Sequence, residues 1–398
     1  MSTVDPELAL AAAAEVIEVA PGAPAEPVAF RGLAGWVRPY WRPMVIYALS
    51  RALVLLTMGV VALVNGGTLG GRIDRWDSRW YLRVVAGGYP SQLPVSHGHV
   101  LASTVAFFPG FPLAIRGVAG LTGMSFFAAG VAVSSFTGLT ATIGVWLLVR
   151  EYAGEQAADR ATVLFACFVG SFVFSMIYSE GLVITAVAFG LLALLRCRWL
   201  AAGLLGLVAT ATAPIGLAFV LSAGLASVRA VRDRREWWSL AAPVLAPLGT
   251  ALYLLWTWIH TGNVAAFTQT ERGGWHSYLS ITYPFKVLWA NLAHPVATTA
   301  NPRLVGFCIV GVVVATVIAI RDRQPALLAL YGIAAAVLAT VTQPVGPRPR
   351  LILDAFPLIL AVALRYRKGW RYGVAVTTSI VLLVAMTAYT VGVWVAFP

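Results

Sequence analysis

Successive apolar runs, most of them close to the length that crosses a bilayer, dominate the chain from Met44 to Ala396. Lipid offers the backbone no hydrogen bonds, so runs of about 20 apolar residues must satisfy their own backbone groups as helices. The runs are Met44–Leu63, Ser125–Val149, Ala161–Ser179, Gly181–Leu195, Trp199–Val228, Leu240–Ile259, Leu304–Ile320, Pro325–Thr342, Leu351–Leu364 and Gly373–Ala396. Trp199–Val228 is too long for one span, and Ala213-Pro214-Ile215-Gly216 interrupts it, which predicts two shorter helices meeting at the proline. The pattern predicts an all-α fold: a polytopic transmembrane helical bundle of about eleven spans, with residues 44–398 as a single transmembrane domain. Composition points the same way. Of 398 residues, 59% are hydrophobic and 11% charged, against about 25% charged in soluble domains.

Residues 1–30 carry Asp5, Glu7, Glu15, Glu18 and Glu26, several prolines and no base. They lack the basic start of a secretory signal peptide, so residues 1–43 read as a cytoplasmic, disordered tail. Short cytoplasmic loops are enriched in Arg and Lys. With the N-terminus inside, the inner loops hold Arg150 and Arg160; Arg196 and Arg198; Arg229, Arg232, Arg234 and Arg235; Arg321 and Arg323; and Arg365, Arg367, Lys368 and Arg371. The alternation requires Thr104–Leu121 to be interfacial or re-entrant. It places residues 65–124, residues 260–303 and the Gly346-Pro347-Arg348-Pro349-Arg350 turn on the outer side of a plasma membrane. Arg51, near the first end of its run, is expected to snorkel. The net charge of +12 fits membrane lipids and phosphate partners, since no basic patch lies in a soluble domain where nucleic acid would bind. Cys167, Cys197 and Cys308 are too scattered for a zinc site or a disulfide framework.

Polar chemistry concentrates between Asp74 and Pro112. If Arg72–Val85 is one helix, Arg72, Arg75, Arg79 and Arg83 form a basic stripe beside Trp76 and Trp80, while Asp74, Asp77, Ser78 and Tyr81 form a polar face. No arginine of that helix is then placed to neutralise Asp77, and a carboxylate free of salt bridges at a membrane surface suits a general base. An interfacial amphipathic helix whose acids merely face water explains the same periodicity. Glu180 is an ionisable group among apolar runs, which points either to function or to a tight helix–helix turn. Arg348 and Arg350, set by prolines, offer planar forks for a lipid phosphate or for headgroups. Asp354 is expected to hold Arg350 as an i,i+4 pair.

Trp76-Asp77-Ser78-Arg79-Trp80-Tyr81, then Gly87-Gly88-Tyr89, then Phe107-Phe108-Pro109-Gly110-Phe111-Pro112, in the order WDSxWY…GGY…FFPxFP, resembles the PIG-V-type mannosyltransferases, membrane enzymes of the GT-C class. Phe174-Ser175-Met176-Ile177-Tyr178-Ser179-Glu180 looks like the family's FSxxYxE. Arg350-Leu351-Ile352-Leu353-Asp354-Ala355-Phe356-Pro357 is similar to its RYxxxxFP, with Leu351 for the tyrosine. Gly262-Asn263-Val264-Ala265-Ala266-Phe267, followed by Gln269 and Trp275, resembles its GDPxAF…Q…W, with Asn263 for the aspartate.

The resemblance implies a GT-C bundle whose large first extracytoplasmic loop carries amphipathic juxtamembrane helices. It implies an inverting transfer of mannose from a polyprenyl-phosphate donor to a lipid-linked or envelope-glycan hydroxyl, with Asp77 as the catalytic base. Substrate-binding roles are expected for Asp74, Trp76, Trp80, Tyr81, Tyr89, Glu180, Gln269, Trp275, His276, Arg348 and Arg350. An ordinary aromatic belt accounts equally for Trp275, His276 and Tyr278. No cofactor is expected, and His97, His99, His260, His276 and His294 lack metal-like spacing, so no metal ligand is assigned. Where many relatives have Thr-Arg-Pro-x-Gly, this chain has Thr212-Ala213-Pro214-Ile215-Gly216, which points to a different phosphate clamp, another substrate, or lost activity. The rival readings are a lipid flippase or transporter, and a non-catalytic relative that scaffolds an envelope assembly.

Overall fold

The computed structural model describes residues 38–294, 300–343, 348–366 and 369–392. The chain divides into residues 1–41 and residues 42–398. Of the first unit, the described part is the 3-10 turn Arg38–Tyr40 and the opening residue of the next helix. Residues 1–37 of the expected disordered tail, Gly346-Pro347, Arg367-Lys368 and the end of the last expected span lie outside the described residues, while residues 38–43 of that tail are helical, contrary to the expectation.

The second unit is helical apart from two small antiparallel ladders, Val95–Ser96 with His99–Val100 and Tyr278–Leu279 with Thr342–Gln343. Among the described residues, five helices are long and apolar enough to cross a membrane: α1 (Trp41–Val64), Phe126–Ala153, Pro214–Arg234, Pro302–Arg321 and Gly369–Gly392. The pair Trp237–Leu245 and Leu248–Thr261, bent by 42°, makes a sixth when its two halves are counted as one span. The other apolar helices, Glu180–Leu195, Trp199–Thr212, Ala326–Val341 and Phe356–Arg365, are shorter than a full span. Among the described residues, five helices or six pass this length test, against the expectation of about eleven spans.

Proline explains one break. Trp199–Thr212 ends at Ala213, and the 3-10 turn Pro214–Leu217 leads into Ala218–Arg234, so the long run is two helices as expected. Ala161–Ser179 departs from expectation. Helix Glu155–Ala166 stops at Ala166, and the chain continues as buried irregular backbone around a 3-10 turn at Ser171–Ser175. Arg51 causes this. Its guanidinium does not snorkel but lies buried, donating to the Ala166 carbonyl at 3.0 Å, the Ser171 hydroxyl at 3.0 Å and the Ser171 carbonyl. Irregular backbone survives at membrane depth where protein groups satisfy it.

The elements that carry the site follow from these. We label α2 Leu69–Ile73, α3 Asp77–Gly87, α4 Gly110–Thr122, α5 Phe126–Ala153, α6 Glu155–Ala166, α7 Glu180–Leu195, α8 Pro349–Asp354 and α9 Gly369–Gly392. Helices α5 and α7 pack along one another. Their backbones touch, because a Cβ on Gly181 would fall 2.6 Å from the Thr137 hydroxyl and 2.9 Å from the Gly138 nitrogen. This contact fixes the start of α7, and with it Glu180.

Candidate active site

The expected single helix Arg72–Val85 is two helices with a break at Asp74–Trp76. Trp76 takes φ +56°, a conformation costly for a bulky residue. Burying the arginines drives the break. Arg72 and Arg75 turn inward to donate to the Val391 carbonyl at 2.9 and 2.6 Å, and the Trp76 indole donates to the Thr390 carbonyl at 3.4 Å. These carbonyls lie in the last described turn of α9. The basic stripe therefore does not exist: Arg72 and Arg75 are buried, Arg79 pairs with Asp74, and Arg83 covers the Trp80 ring.

The break starts α3 at Asp77, so its carboxylate sits in the first turn, where the helix dipole favours negative charge. Neutral hydrogen bonds seat this helix end on the Ile177–Ser179 segment. The Ile177 amide donates to Ser78 Oγ at 3.2 Å, the Asp77 amide donates to the Tyr178 hydroxyl at 3.4 Å, and the Tyr81 hydroxyl donates to Ser179 Oγ at 2.7 Å. Burial pushes the Tyr81 phenol well up, so it serves as a neutral donor. From behind, Ser134 of α5 accepts from the Tyr178 amide and donates to its carbonyl.

Into this junction α8 brings Arg350. Its Nη1 lies 2.8 Å from Asp77 Oδ2 and 3.1 Å from Glu180 Oε1, and the guanidinium stands 5.4 Å over the Tyr178 ring. A close approach of backbones holds α8 there, since a Cβ on Gly170 would fall 2.2 Å from the Pro349 carbonyl oxygen. Asp77 is thus ion-paired, contrary to the expectation of an unpaired base. The partner comes from α8. Asp354 is not the residue to which Arg350 reaches first: Asp77 and Glu180 share that role, while Asp354 is buried with its Oδ1 lacking a hydrogen-bond partner among the described residues. Glu180 Oε2 is likewise without a partner. The cluster is rich in acid and contains one shared cation.

Around it the aromatic residues pack on each other. Trp80 lies parallel to Phe107 at 5.9 Å, and Trp275 meets Trp80 edge-on at 5.0 Å. Tyr89 donates to the Phe107 carbonyl and packs on Tyr253 and Trp256, and Gln269 accepts from the Asn263 side chain. His276 is exposed, in a left-handed turn with φ +53°. Asp74 opens the break and meets Arg79 at 3.8 Å. Arg348 is buried, with Arg350, Tyr283, Tyr389 and Cys308 as its electrostatic neighbours. Of the expected site residues, the structure joins Asp77, Glu180 and Arg350 directly, with Tyr81 supporting them.

Glu271 is the residue that sequence reasoning missed. It sits on the π-helical turn Thr270–Gly274, a geometry often found at functional sites. That turn rests on the first loop, because a Cβ on Gly274 would fall 2.4 Å from the Ala102 nitrogen. Burial pushes the Glu271 carboxyl up to about 7 against a hydrogen bond with Ser277, and the Asp77 charge adds to the push. The signal was present: Glu271 is the only acid between Glu236 and Asp322. Among the described residues no group of three or more His, Cys, Asp or Glu side chains is arranged to hold a metal ion.

No family model and no curated protein matches this chain. Among solved structures, the chain is similar to ArnT from Cupriavidus metallidurans bound to undecaprenyl phosphate, at 14% identity and a TM-score of 0.49, covering 91% of this chain and 77% of that one. It is similar to the Archaeoglobus fulgidus oligosaccharyltransferase in its apo form, at 13% identity and a TM-score of 0.48, covering 89% of this chain and 56% of that one. The same holds for the archaeal oligosaccharyltransferase AglB from Archaeoglobus fulgidus in complex with an inhibitory peptide and a dolichol-phosphate, at 13% identity and a TM-score of 0.47, over 90% of this chain and 56% of that one. This chain therefore spans little more than half of the oligosaccharyltransferase. Similarity at this level gives no residue a role.

Proposed function

We propose that this protein is an inverting glycosyltransferase of the outer face of a plasma membrane. It moves a sugar, mannose by the motif resemblance, from a polyprenyl-phosphate donor to a hydroxyl of a lipid-linked or envelope-glycan acceptor. The observation that carries this reading is a convergence. Three segments that resemble family motifs, around Asp77, Glu180 and Arg350, lie far apart in the chain and meet at one guanidinium nitrogen, within 3.1 Å.

In the proposed reaction Asp77 takes the proton of the acceptor hydroxyl as that oxygen attacks the anomeric carbon. Arg350 offers fixed positive charge for the departing phosphate, the kind of preorganised stabilisation that lowers such barriers most. Glu180, buried and immobile at the start of α7, orients Arg350. Trp80, Trp275 and Tyr89 belong to the aromatic wall of the acceptor side. Arg350 takes the phosphate-binding role although Ala213 replaces the arginine of Thr-Arg-Pro-x-Gly.

The test is transfer in a defined system: purified protein in lipid, labelled polyprenyl-phosphate mannose and envelope lipid extract. The reading predicts a labelled product whose anomeric configuration is opposite to the donor's. Retained configuration, or lipid movement across liposomes with no product, would refute it.

A further inference from the structure

The ion pair that ties up Asp77 raises a chemical difficulty, and its resolution concerns Arg350. A carboxylate oxygen held against a guanidinium is occupied, and a guanidinium nitrogen shared by two carboxylates is a poorer anion receptor. Both groups are therefore compromised for their proposed roles while they hold each other. The two acids are not equivalent partners. The Glu180 side chain is 6% exposed and fixed where α5 and α7 touch, whereas that of Asp77 is 22% exposed at the first residue of a short helix. Asp77 is the partner that an incoming anion reaches.

We propose that Arg350 changes partner during the reaction: the donor phosphate displaces Asp77 from Arg350, Glu180 keeps its hold, and the released Asp77 carboxylate becomes the base. This rests on the transferase reading above. The charge balance favours such an exchange. The acceptor oxygen forms its bond to the anomeric carbon, and the bond from that carbon to the phosphate oxygen breaks. Its electron pair goes to the phosphate, and the acceptor's proton goes to an Asp77 carboxylate oxygen. Negative charge thus disappears from Asp77 and appears on the phosphate, while the total is unchanged. One guanidinium passed between them stabilises the carboxylate before the donor binds and the leaving group afterwards. Binding is consequently ordered, donor before acceptor, because the base is exposed only once the phosphate has arrived.

Competition between two anions for one cation has a consequence that needs no turnover. Removing the Asp77 charge should strengthen phosphate binding, even though the same change abolishes transfer. The probe is undecaprenyl phosphate, titrated by native mass spectrometry into protein held in phosphatidylcholine nanodiscs. Asp77→Asn should bind it roughly 5-fold or more tightly than the unaltered protein, as expected for release of a partly buried competing charge. Arg350→Ala should bind it more weakly, and adding Asp77→Asn to Arg350→Ala should give no gain.

Equal or weaker binding by Asp77→Asn would overturn the exchange while leaving the transferase reading standing. A gain that persists without Arg350 would overturn it too, by reducing the effect to general repulsion. If the unaltered protein does not bind the lipid phosphate at all, the donor reading falls and the exchange with it. Should Asp77→Asn fail to fold, Asp77→Ser removes the same charge with a side chain that also suits a helix start.

Discussion

Arg51 is buried and Arg350 is 17% exposed, and the side chains of both reach across the fold, yet their surroundings differ in kind. Arg51 is surrounded by neutral oxygens: the carbonyls of Ala166 and Ser171, the Ser171 hydroxyl and, at 3.5 Å, that of Ser175. Arg350 is surrounded by charge, with Asp77 and Glu180 on one nitrogen and Asp354 near enough to act on Glu180 electrostatically. The carbonyls on Arg51 are backbone groups of the 166–171 segment and cannot leave without breaking the fold, so Arg51 is a pin. The carboxylates on Arg350 can be protonated, hydrated or replaced by another anion, so Arg350 can do chemistry. The number of hydrogen bonds does not separate the two; the charge and mobility of the acceptors do.

Five substitutions sharpen or break that contrast. Arg350→Ala should lower sugar transfer by about 10²–10³-fold, the loss typical of removing one preorganised donor to a developing anion. Its effect on stability should be limited to about 1–3 kcal/mol, because Asp77 retains access to water. Arg51→Ala should do the reverse in emphasis, costing on the order of 3–5 kcal/mol by stranding several buried acceptors. Arg51→Lys should recover less than half of it, since one ammonium cannot serve the same spread of oxygens. Thermal unfolding alongside transfer rates checks both, and matching profiles for Arg51→Ala and Arg350→Ala would erase the distinction.

Gly170→Ala should come next. The added methyl meets the Pro349 carbonyl oxygen at 2.2 Å, so α8 must shift and carry Arg350 with it. A misplacement of this kind should cost about 10- to 100-fold in kcat/KM for the donor, and near-normal donor use would show that the 169–171 backbone does not position α8. Glu271→Gln should have the smallest effect, and a pH-dependent one. The Glu271 carboxyl is raised from 4.5 to about 7, so the folded chain keeps a proton that the unfolded chain has lost in between. That stability is complete below pH 4.5 and is lost as pH rises through about 7. Glutamine stays neutral throughout, so the substitution should leave Tm unchanged at low pH and raise it by about 2–4 °C at pH 8. A Tm difference independent of pH would contradict the burial of this acid.

Local pattern made part of this legible. The apolar runs located most helices, and Pro214 located the break between two of them, because both signals are written within a few residues. The motif segments marked Asp77, Glu180 and Arg350 separately. What periodicity could not reach was their mutual pairing, since spacing along a helix reveals only partners on that helix. The same limit explains the two misread helices. Arg72 and Arg75 break theirs to reach the Val391 carbonyl of α9, and Arg51 holds residues 166–171 out of helix from a distant span. In each case a distant arginine overrides local propensity by satisfying carbonyls that the apolar pattern alone assigns to a helix. Glu271 was visible as a lone acid but carried no motif, and its meaning depends on a neighbour in the other loop.

The most direct measurement is the rate of sugar transfer by Asp77→Asn beside that of the unaltered protein, in the same lipid and at the same donor concentration. Loss of the base should lower it by about 10²–10⁴-fold with no loss of folded protein. A folded Asp77→Asn that transfers sugar at the unaltered rate would contradict the account.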